Sequence, residues 1–237
     1  MLGFSYTAKS AEGDKAFQLG LTGSANFGWT SRALKPASPN GLGLGYSIGI
    51  TGDWNLVKSK SNYFLSFDFL STNLRTRIKL TNSAPFLSKK DSFNYENIEH
   101  TFKLTYVEIP ISLKLKINEI GYFTWFAQFG ISPGILYRTQ AKFKAERVGS
   151  HDKLTTEYFN NNSGEDDDVK QEFTEFNDNI RFYRIATFIG AGMEYRFSGN
   201  TAFVASLRFN NGLNDILSDK KAAAHNTFIA LHAGILF

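Results

Sequence analysis

The side chains of this sequence that could do chemistry are charged residues spaced along segments in which apolar and polar residues alternate. Ten charged residues and one histidine fall on the polar side of that alternation: Asp53, Asp68, Glu108, Lys114, Lys116, Arg138, Arg184, Glu194, Arg196, Arg208 and His232. Side chains along a strand alternate between two faces, so these groups share a face with small polar residues. Enclosed on such a face, unpaired charges would be costly. We therefore predict an ion-paired, hydrogen-bonded network rather than an ion or proton pathway.

Catalytic and metal-binding patterns are weak by comparison. His232 stands alone on its segment, and the other three histidines lie near strand ends or in connections without the spacing of a metal site: His100, His151 and His225. The chain contains no cysteine, so disulfides and thiolate metal sites are ruled out. A lipid-remodelling enzyme would need a nucleophile beside a base, and neither His232 nor His225 has a suitable neighbour. The sequence predicts no enzyme, no cofactor and no metal ion.

The last eleven residues show the alternation most clearly. Thr227 to Phe237 place Leu231, Ala233, Ile235 and Phe237 on one face of a strand, with His232 on the other. A soluble protein seldom ends on a strand with an exposed Phe, whereas an outer-membrane barrel needs a lipid-facing stripe and an aromatic residue at the interface. We interpret these four residues as the barrel-assembly signal of a closing strand.

Eight segments of this kind can be counted along the chain. They are predicted at Ala16–Thr30, Leu42–Val57, Asn62–Leu80, Thr101–Lys116, Tyr122–Lys142, Ile180–Phe197, Thr201–Asn210 and Asn226–Phe237. The second, fourth and sixth connections are short, and the others are long. The pattern predicts an all-β fold, an eight-stranded antiparallel up-and-down transmembrane β-barrel with short periplasmic turns, long extracellular loops and both termini in the periplasm.

A soluble sandwich or lipocalin-like barrel would show the same alternation with its apolar face inside. The polar face favours the membrane alternative, because it is rich in Gly, Ser, Thr and Asn, which suit a crowded lumen. No apolar run approaches the ~18 residues of a membrane helix. In the fourth segment the apolar parity switches after Tyr106, so we expect a β-bulge there and a further irregularity at Pro110.

The domain organisation follows from these segments. Residues 1–15 are expected to form a flexible periplasmic segment after removal of a signal peptide, and residues 16–237 form the barrel. Residues 143–179 carry ten acidic and four basic residues and are predicted to form a long extracellular loop or hairpin extension. Its aromatic residues suggest a partner-docking surface: Tyr158, Phe159, Phe173 and Phe176. The carboxylates could bind Ca²⁺, but their spacing does not match an EF-hand.

Several segments resemble the PorT-like outer-membrane β-barrel family of the Bacteroidota. The resemblance rests on Tyr106–Lys116 with its Glu-Ile-Pro, Gly130–Gly134, Gly190–Tyr195, Leu207–Leu213 with Asp215 and Ile216, and the Gly-Ile-Leu-Phe ending. It implies an eight-stranded barrel without a known catalytic site. Some members of that family serve type IX secretion.

The expected function is that of a non-catalytic scaffold or accessory subunit of a larger outer-membrane complex for secretion, biogenesis or uptake. The alternatives are a free-standing surface barrel that binds an extracellular ligand through its loops and, third, a lipid-remodelling enzyme. Expected partners are outer-membrane lipid and lipopolysaccharide, other outer-membrane proteins, and the barrel-assembly machinery during insertion. Nucleic acid is not expected, because the basic residues are spread along the chain.

Overall fold

The computed structural model describes residues 17–31, 37–39, 41–57, 62–80, 95–147, 153–159, 181–199, 201–215 and 225–237. These residues form eleven strands: β1 (Phe17–Ser31), β2 (Ala37–Pro39), β3 (Gly43–Asn55), β4 (Tyr63–Leu80), β5 (Tyr95–Glu108), β6 (Ile111–Lys116), β7 (Phe123–Arg147), β8 (Lys153–Phe159), β9 (Tyr183–Ser198), β10 (Thr201–Asp215) and β11 (His225–Leu236). Across these ranges no helix has the length and apolar character to cross a membrane.

The strands close into a barrel. Starting from β1, antiparallel pairing runs through β3, β4, β5 with β6, β7, β9, β10 and β11, and β11 pairs again with β1. The strands β5 and β6 are two halves of one barrel strand, interrupted at Ile109 and Pro110. Backbone hydrogen bonds continue through the interruption, from Asp68 N to Pro110 O at 2.9 Å and from Ile109 N to Pro133 O at 2.9 Å. The predicted eight-stranded antiparallel barrel is confirmed.

The two ends of the barrel differ. Short connections at 56–62, 117–122 and 199–200 gather at one end, here called the turn end, where Gly121 and Gly199 adopt positive φ angles of 68° and 51°. The opposite end is called the loop end. Two short strands extend the sheet there: β2 pairs with β4, and β8 pairs with β7 in a hairpin. The sequence did not indicate β2, whereas a hairpin extension within residues 143–179 was one of its two predicted alternatives. Residues 1–15 lie outside the described residues.

Burial is inverted relative to a soluble barrel. Along β3 the apolar side chains of Leu44, Ile48 and Ile50 are 61%, 63% and 51% exposed. On the other face, Ser47 and Asp53 are buried, with only 5% and 0% of their surface exposed. The apolar side chains therefore face outward and the polar ones line the lumen. This arrangement suits an apolar solvent around the barrel.

The predicted parity switch in the fourth barrel strand is wrong. Leu104 and Tyr106 are buried in the lumen, with exposed fractions of 0% and 2%, and every second residue from there to Lys116 is buried too. The irregularity lies instead on β7, where Thr105 pairs with Arg138 but Tyr106 pairs with Leu136, which leaves Tyr137 as an extra residue. Leu104 and Tyr106 fill the lumen, so their apolar character does not mark a lipid-facing position.

Candidate functional site

The lumen holds eight buried charged residues of balanced sign. Four are acidic and four are basic: Asp53, Asp68, Glu108, Glu194, Lys114, Lys116, Arg184 and Arg208. All of them were predicted to face the lumen. They come from β3, β4, β5, β6, β9 and β10, and they occupy three levels between the two ends of the barrel. At each level acids and bases are in contact, so the lumen carries no net charge from these residues.

The level nearest the turn end is a cluster of two lysines and two carboxylates. Lys114 Nζ lies 2.8 and 2.7 Å from the two oxygens of Asp53, and Lys116 Nζ lies 2.9 Å from Glu194 Oε2. Lys116 also reaches Asp53 Oδ2 at 3.2 Å, which joins the two pairs. Ser66 Oγ donates a further hydrogen bond of 2.7 Å to Asp53. Lys114 also lies 3.9 Å from Glu194 Oε1, so each lysine has two carboxylates within ion-pair distance and the cluster is locally neutral.

The middle and upper levels each contain one arginine–carboxylate pair. Arg208 Nη1 lies 2.5 Å from Asp68 Oδ2 at the middle of the lumen, and Arg184 Nη1 lies 2.5 Å from Glu108 Oε1 nearer the loop end. Gly134 makes room for the second pair, because a Cβ at that position would lie 2.8 Å from Glu108 Cγ. Charge-assisted hydrogen bonds of this kind are stronger than neutral ones. Both pairs bridge strands that are far apart in the sequence.

Each of the four lumen cations also lies over an aromatic ring. The distances from the cationic atom to the ring centroid are 4.2 Å for Lys116 over Phe64, 4.8 Å for Lys114 over Phe126, 5.1 Å for Arg184 over Phe228 and 5.3 Å for Arg208 over Phe188. Such contacts stabilise a desolvated cation. Sequence reasoning missed these phenylalanines as lumen residues. The available signal was their parity, which for Phe64 and Phe188 matches that of lumen charges on the same strand and for Phe228 matches that of His232.

Apolar side chains close the lumen on both sides of the charged levels. Toward the loop end Leu74, Leu104 and Phe228 are buried, with exposed fractions of 2%, 0% and 3%. Toward the turn end Phe64 and Leu236 are buried, with exposed fractions of 6% and 1%. Eight-stranded barrels are just wide enough for their side chains to fill the interior. The charges are therefore packed between two apolar layers.

Room for solvent inside is limited. A cavity of about 20 Å³, bordered by Lys114, Arg208 and His232, has space for roughly one water molecule. Nearby polar atoms have no hydrogen-bond partner in the protein, including His232 Nδ1, Arg208 Nε and both amide atoms of Gln128. Buried polar groups of this kind are commonly satisfied by ordered water. The cavity accommodates an isolated water, and the buried side chains above and below it fill the lumen of the described part of the chain.

Two arginines predicted in the lumen lie elsewhere. Arg138 is exposed, because the extra residue Tyr137 reverses the alternation of β7 just before it. Arg196 lies at the turn end with a side chain 40% exposed, where it forms a 3.2 Å ion pair with Glu119. These positions correct the sequence-based assignment. Parity alone cannot reveal a bulge or tell how near a strand end a residue lies.

The structure describes the side chains of two of the four histidines, His225 and His232. His232 is buried in the lumen at 7% exposure. His225, at the start of β11, lies with Nε2 3.0 Å from Asp215 Oδ1 and with Nδ1 3.1 Å from Gly212 O. Among the described residues, no three side chains of His, Cys, Asp or Glu converge on a point that could hold a metal ion.

The remaining predicted sites lie on the outside or beyond the described residues. Leu231, Ala233 and Phe237 are exposed on the outer face of β11, and Ile235 is 40% exposed beside them. In the proposed docking segment, Tyr158 and Phe159 fall within β8. Phe173 and Phe176 lie outside the described residues.

A closed eight-stranded antiparallel barrel with an apolar outer wall and a polar, ion-paired lumen defines the chain as a transmembrane β-barrel of the outer-membrane class. The comparison with protein families agrees. Residues 7–218 match the model for the outer membrane protein beta-barrel domain, and the chain belongs to that family. No curated protein matches it in sequence.

Solved structures with a similar fold are outer-membrane barrels. Neisserial surface protein A is 13% identical with a TM-score of 0.46, the match covering 93% of this chain and 96% of that one. Ail, the attachment invasion locus protein of Yersinia pestis, is 12% identical with a TM-score of 0.38, covering 93% and 98%. The outer membrane protease OmpT from Escherichia coli is 9% identical with a TM-score of 0.42, covering 95% and 97%. Likenesses this low carry no information on what this chain binds or does.

Proposed function

We propose that this barrel is a non-catalytic scaffold or accessory subunit of a larger outer-membrane complex. The observation that supports the proposal is the filled lumen, in which four acidic and four basic side chains neutralise one another between two apolar layers. A channel needs a continuous hydrated path, and a lumenal binding site needs groups that are free to meet a ligand. The charged groups of this lumen are used to fill it. We therefore expect contacts with partners to be made by the outer wall and the loop end.

At the loop end, a hairpin extends beyond the barrel wall and is available for contacts with a partner. The strand β7 has 25 residues and continues into a hairpin with β8, beyond the length that a bilayer requires. Tyr158 and Phe159 lie in that hairpin. Aromatic residues are enriched in the cores of protein interfaces. We assign the loop end to the extracellular side and both termini to the periplasm, following the usual placement of short turns and long loops.

The proposed setting is a PorT-like role in the Bacteroidota, with secretion, biogenesis or uptake machinery as the complex. The resemblance of the Glu-Ile-Pro and Gly-Ala-Gly-Met-Glu-Tyr segments supports this setting. Other outer-membrane proteins would be the working partners, and lipopolysaccharide and outer-membrane lipid would surround the barrel. The barrel-assembly machinery would act during insertion through the outward residues of β11.

Affinity purification from outer membranes in a mild detergent tests the proposal. We expect one or more outer-membrane proteins to copurify in a fixed ratio, and the ratio to fall when Tyr158 and Phe159 are both replaced by Ser. The control is Leu42→Ser, which removes an exposed apolar side chain at the same end outside the hairpin. A monomer without partners under the same extraction would contradict the scaffold role and favour the free-standing surface barrel.

A further inference from the structure

We infer that the outer wall of β4, β5 and β7 binds the phosphate groups of an anionic glycolipid of the outer leaflet, of the lipid A type. The site consists of Arg75, Arg77, Lys103 and Arg138, here called the outer basic cluster. Arg75, Arg77 and Arg138 are exposed and Lys103 is half-buried. The inference rests on the orientation given under the proposed function, in which the loop end is extracellular.

The strand register brings the four cations together. Arg75 of β4 lies directly opposite Lys103 of β5, and Arg77 lies opposite Thr101, two residues along. On the other side of β5, Arg138 of β7 lies opposite Thr105, again two residues from Lys103. Side chains that face each other across strands have Cβ atoms about 5 Å apart, and diagonal neighbours lie within reach of long side chains. Lys103 is therefore the centre of a continuous patch on three strands.

Among the residues whose side chains the structure describes, the cluster has no counter-charge. In the part of the chain that the structure describes, none of its four side chains forms an ion pair or a side-chain hydrogen bond. Like charges directly opposite each other across strands are destabilising. The contrast with the lumen is sharp, because every buried cation there has a carboxylate within 3.0 Å. An external anion would supply the missing partner.

The cluster lies at the boundary of the apolar wall. On β4 the outward residues change from Phe69 to Ser71 and Asn73 before Arg75, and on β5 they change from Val107 to Thr105 before Lys103. On β7 the change comes between Ile135, exposed at 62%, and Arg138. The register aligns these three changes at one level around the barrel. Apolar surface ends where a bilayer's headgroups begin.

The β7 bulge contributes to the same site. Because Tyr137 is an extra residue, both it and Arg138 project from the outer wall, and the Tyr137 hydroxyl lies 3.0 Å from Ser71 Oγ. Asn73 Nδ2 donates a 3.0 Å hydrogen bond to Thr105 Oγ1 beneath the cations. Bulges often redirect a side chain at a functional site. Here the bulge turns an arginine from the lumen side to the membrane side.

These features fit a phosphorylated lipid in particular. Guanidinium groups bind phosphate through paired hydrogen bonds, and three of the four cations are arginines. The apolar wall directly below the cluster would contact acyl chains, which a soluble anion or an acidic peptide lacks. Several cations spread over three strands suit a headgroup with more than one phosphate. The ligand is thus an amphiphile with clustered negative charge.

Native mass spectrometry of the intact barrel in detergent, titrated with bisphosphorylated lipid A, tests the inference. Each of Arg75→Gln, Lys103→Gln and Arg138→Gln should weaken lipid A binding about fivefold, in line with the contribution of one basic residue at an anionic surface. The matched control, Arg196→Gln, removes a half-exposed arginine at the turn end and should leave binding unchanged. Dephosphorylated lipid A and phosphatidylglycerol should bind at least about tenfold more weakly than lipid A, a margin larger than one such contribution.

Equal loss in Arg196→Gln, no loss in any of the three substitutions in the outer basic cluster, or equal binding of phosphatidylglycerol would overturn the inference. Orientation is read separately in intact cells. The chain has no cysteine, so a single Leu42→Cys at the loop end should react with a membrane-impermeant maleimide and Ile120→Cys at the turn end should not. The reverse labelling would overturn the assignment to the outer leaflet. Neither readout depends on partner proteins, so both are distinct from failure of the scaffold proposal.

Discussion

At the scale of single residues, two of the three charged levels of the lumen each consist of one arginine–carboxylate pair, in which neither member has another partner of opposite charge. Asp68 and Arg208 are separated by 140 positions in the sequence and meet at 2.5 Å in the middle of the barrel. Burying either charge alone is expensive, whereas the pair costs much less. The structure therefore predicts that the two members are needed together, and that neither acts as a free group.

Removing one member should show this cost. Arg208→Ala leaves the buried carboxylate of Asp68 without a cation, and we expect a loss of about 3–5 kcal/mol in the free energy of unfolding. Replacing both Asp68 and Arg208 with Leu should cost less, because no unpaired charge remains. The measurement is urea unfolding in lipid vesicles, followed by heat-modifiable mobility on gels.

The control for that series is Arg196→Ala, which breaks a pair that is exposed on both sides. Surface ion pairs contribute little, so its effect should stay within about 0.5 kcal/mol of the wild type. If Arg208→Ala behaves like Arg196→Ala, the interior is hydrated enough to replace the lost partner. The ion-paired plug would then be the wrong description of the lumen.

At the scale of elements, the β7 bulge separates what the sequence predicts from what it cannot. All eight barrel strands follow from alternation, because one face of each must meet lipid and the other a crowded lumen. The position of the bulge does not follow, because it depends on how β7 pairs with β5. Leu104 and Tyr106 suggested a bulge on the wrong strand, and Arg138 was assigned to the wrong face. The short strand β2 was missed, and β8 was predicted only as one of two alternatives, because three to seven residues carry little periodicity.

Deleting Tyr137 tests the bulge directly. The residues on either side already pair in register with Thr105 and Tyr106, so the deletion should leave a regular strand and a folded barrel. Deleting Ile48 from β3, which pairs regularly with both neighbours, should turn half of that strand inside out and abolish folding. Heat-modifiable mobility after outer-membrane assembly distinguishes the two. Equal failure of both deletions would show that Tyr137 is needed for the strand to form.

At the scale of the whole molecule, an apolar wall surrounds a lumen whose charges cancel. The lumen charges on the strands were predictable because each stands on the polar face of an alternating segment. The partner of each charge was not predictable. Asp53 contacts Lys114, and Glu108 contacts Arg184, only because the closed sheet is curved and staggered. The aromatic rings under the cations were hidden by their apolar character, which resembles that of lipid-facing residues. Closure of the barrel thus creates most of the site.

Conductance across a planar bilayer tests most directly the claim that the lumen is filled. The purified barrel, reconstituted and checked for folding by heat-modifiable mobility, should leave the current at the level of the protein-free bilayer at potentials of either sign. That result follows from three levels of paired charge between two apolar layers. Discrete current steps from the wild-type barrel would contradict the account, because they would require a continuous aqueous path through the lumen.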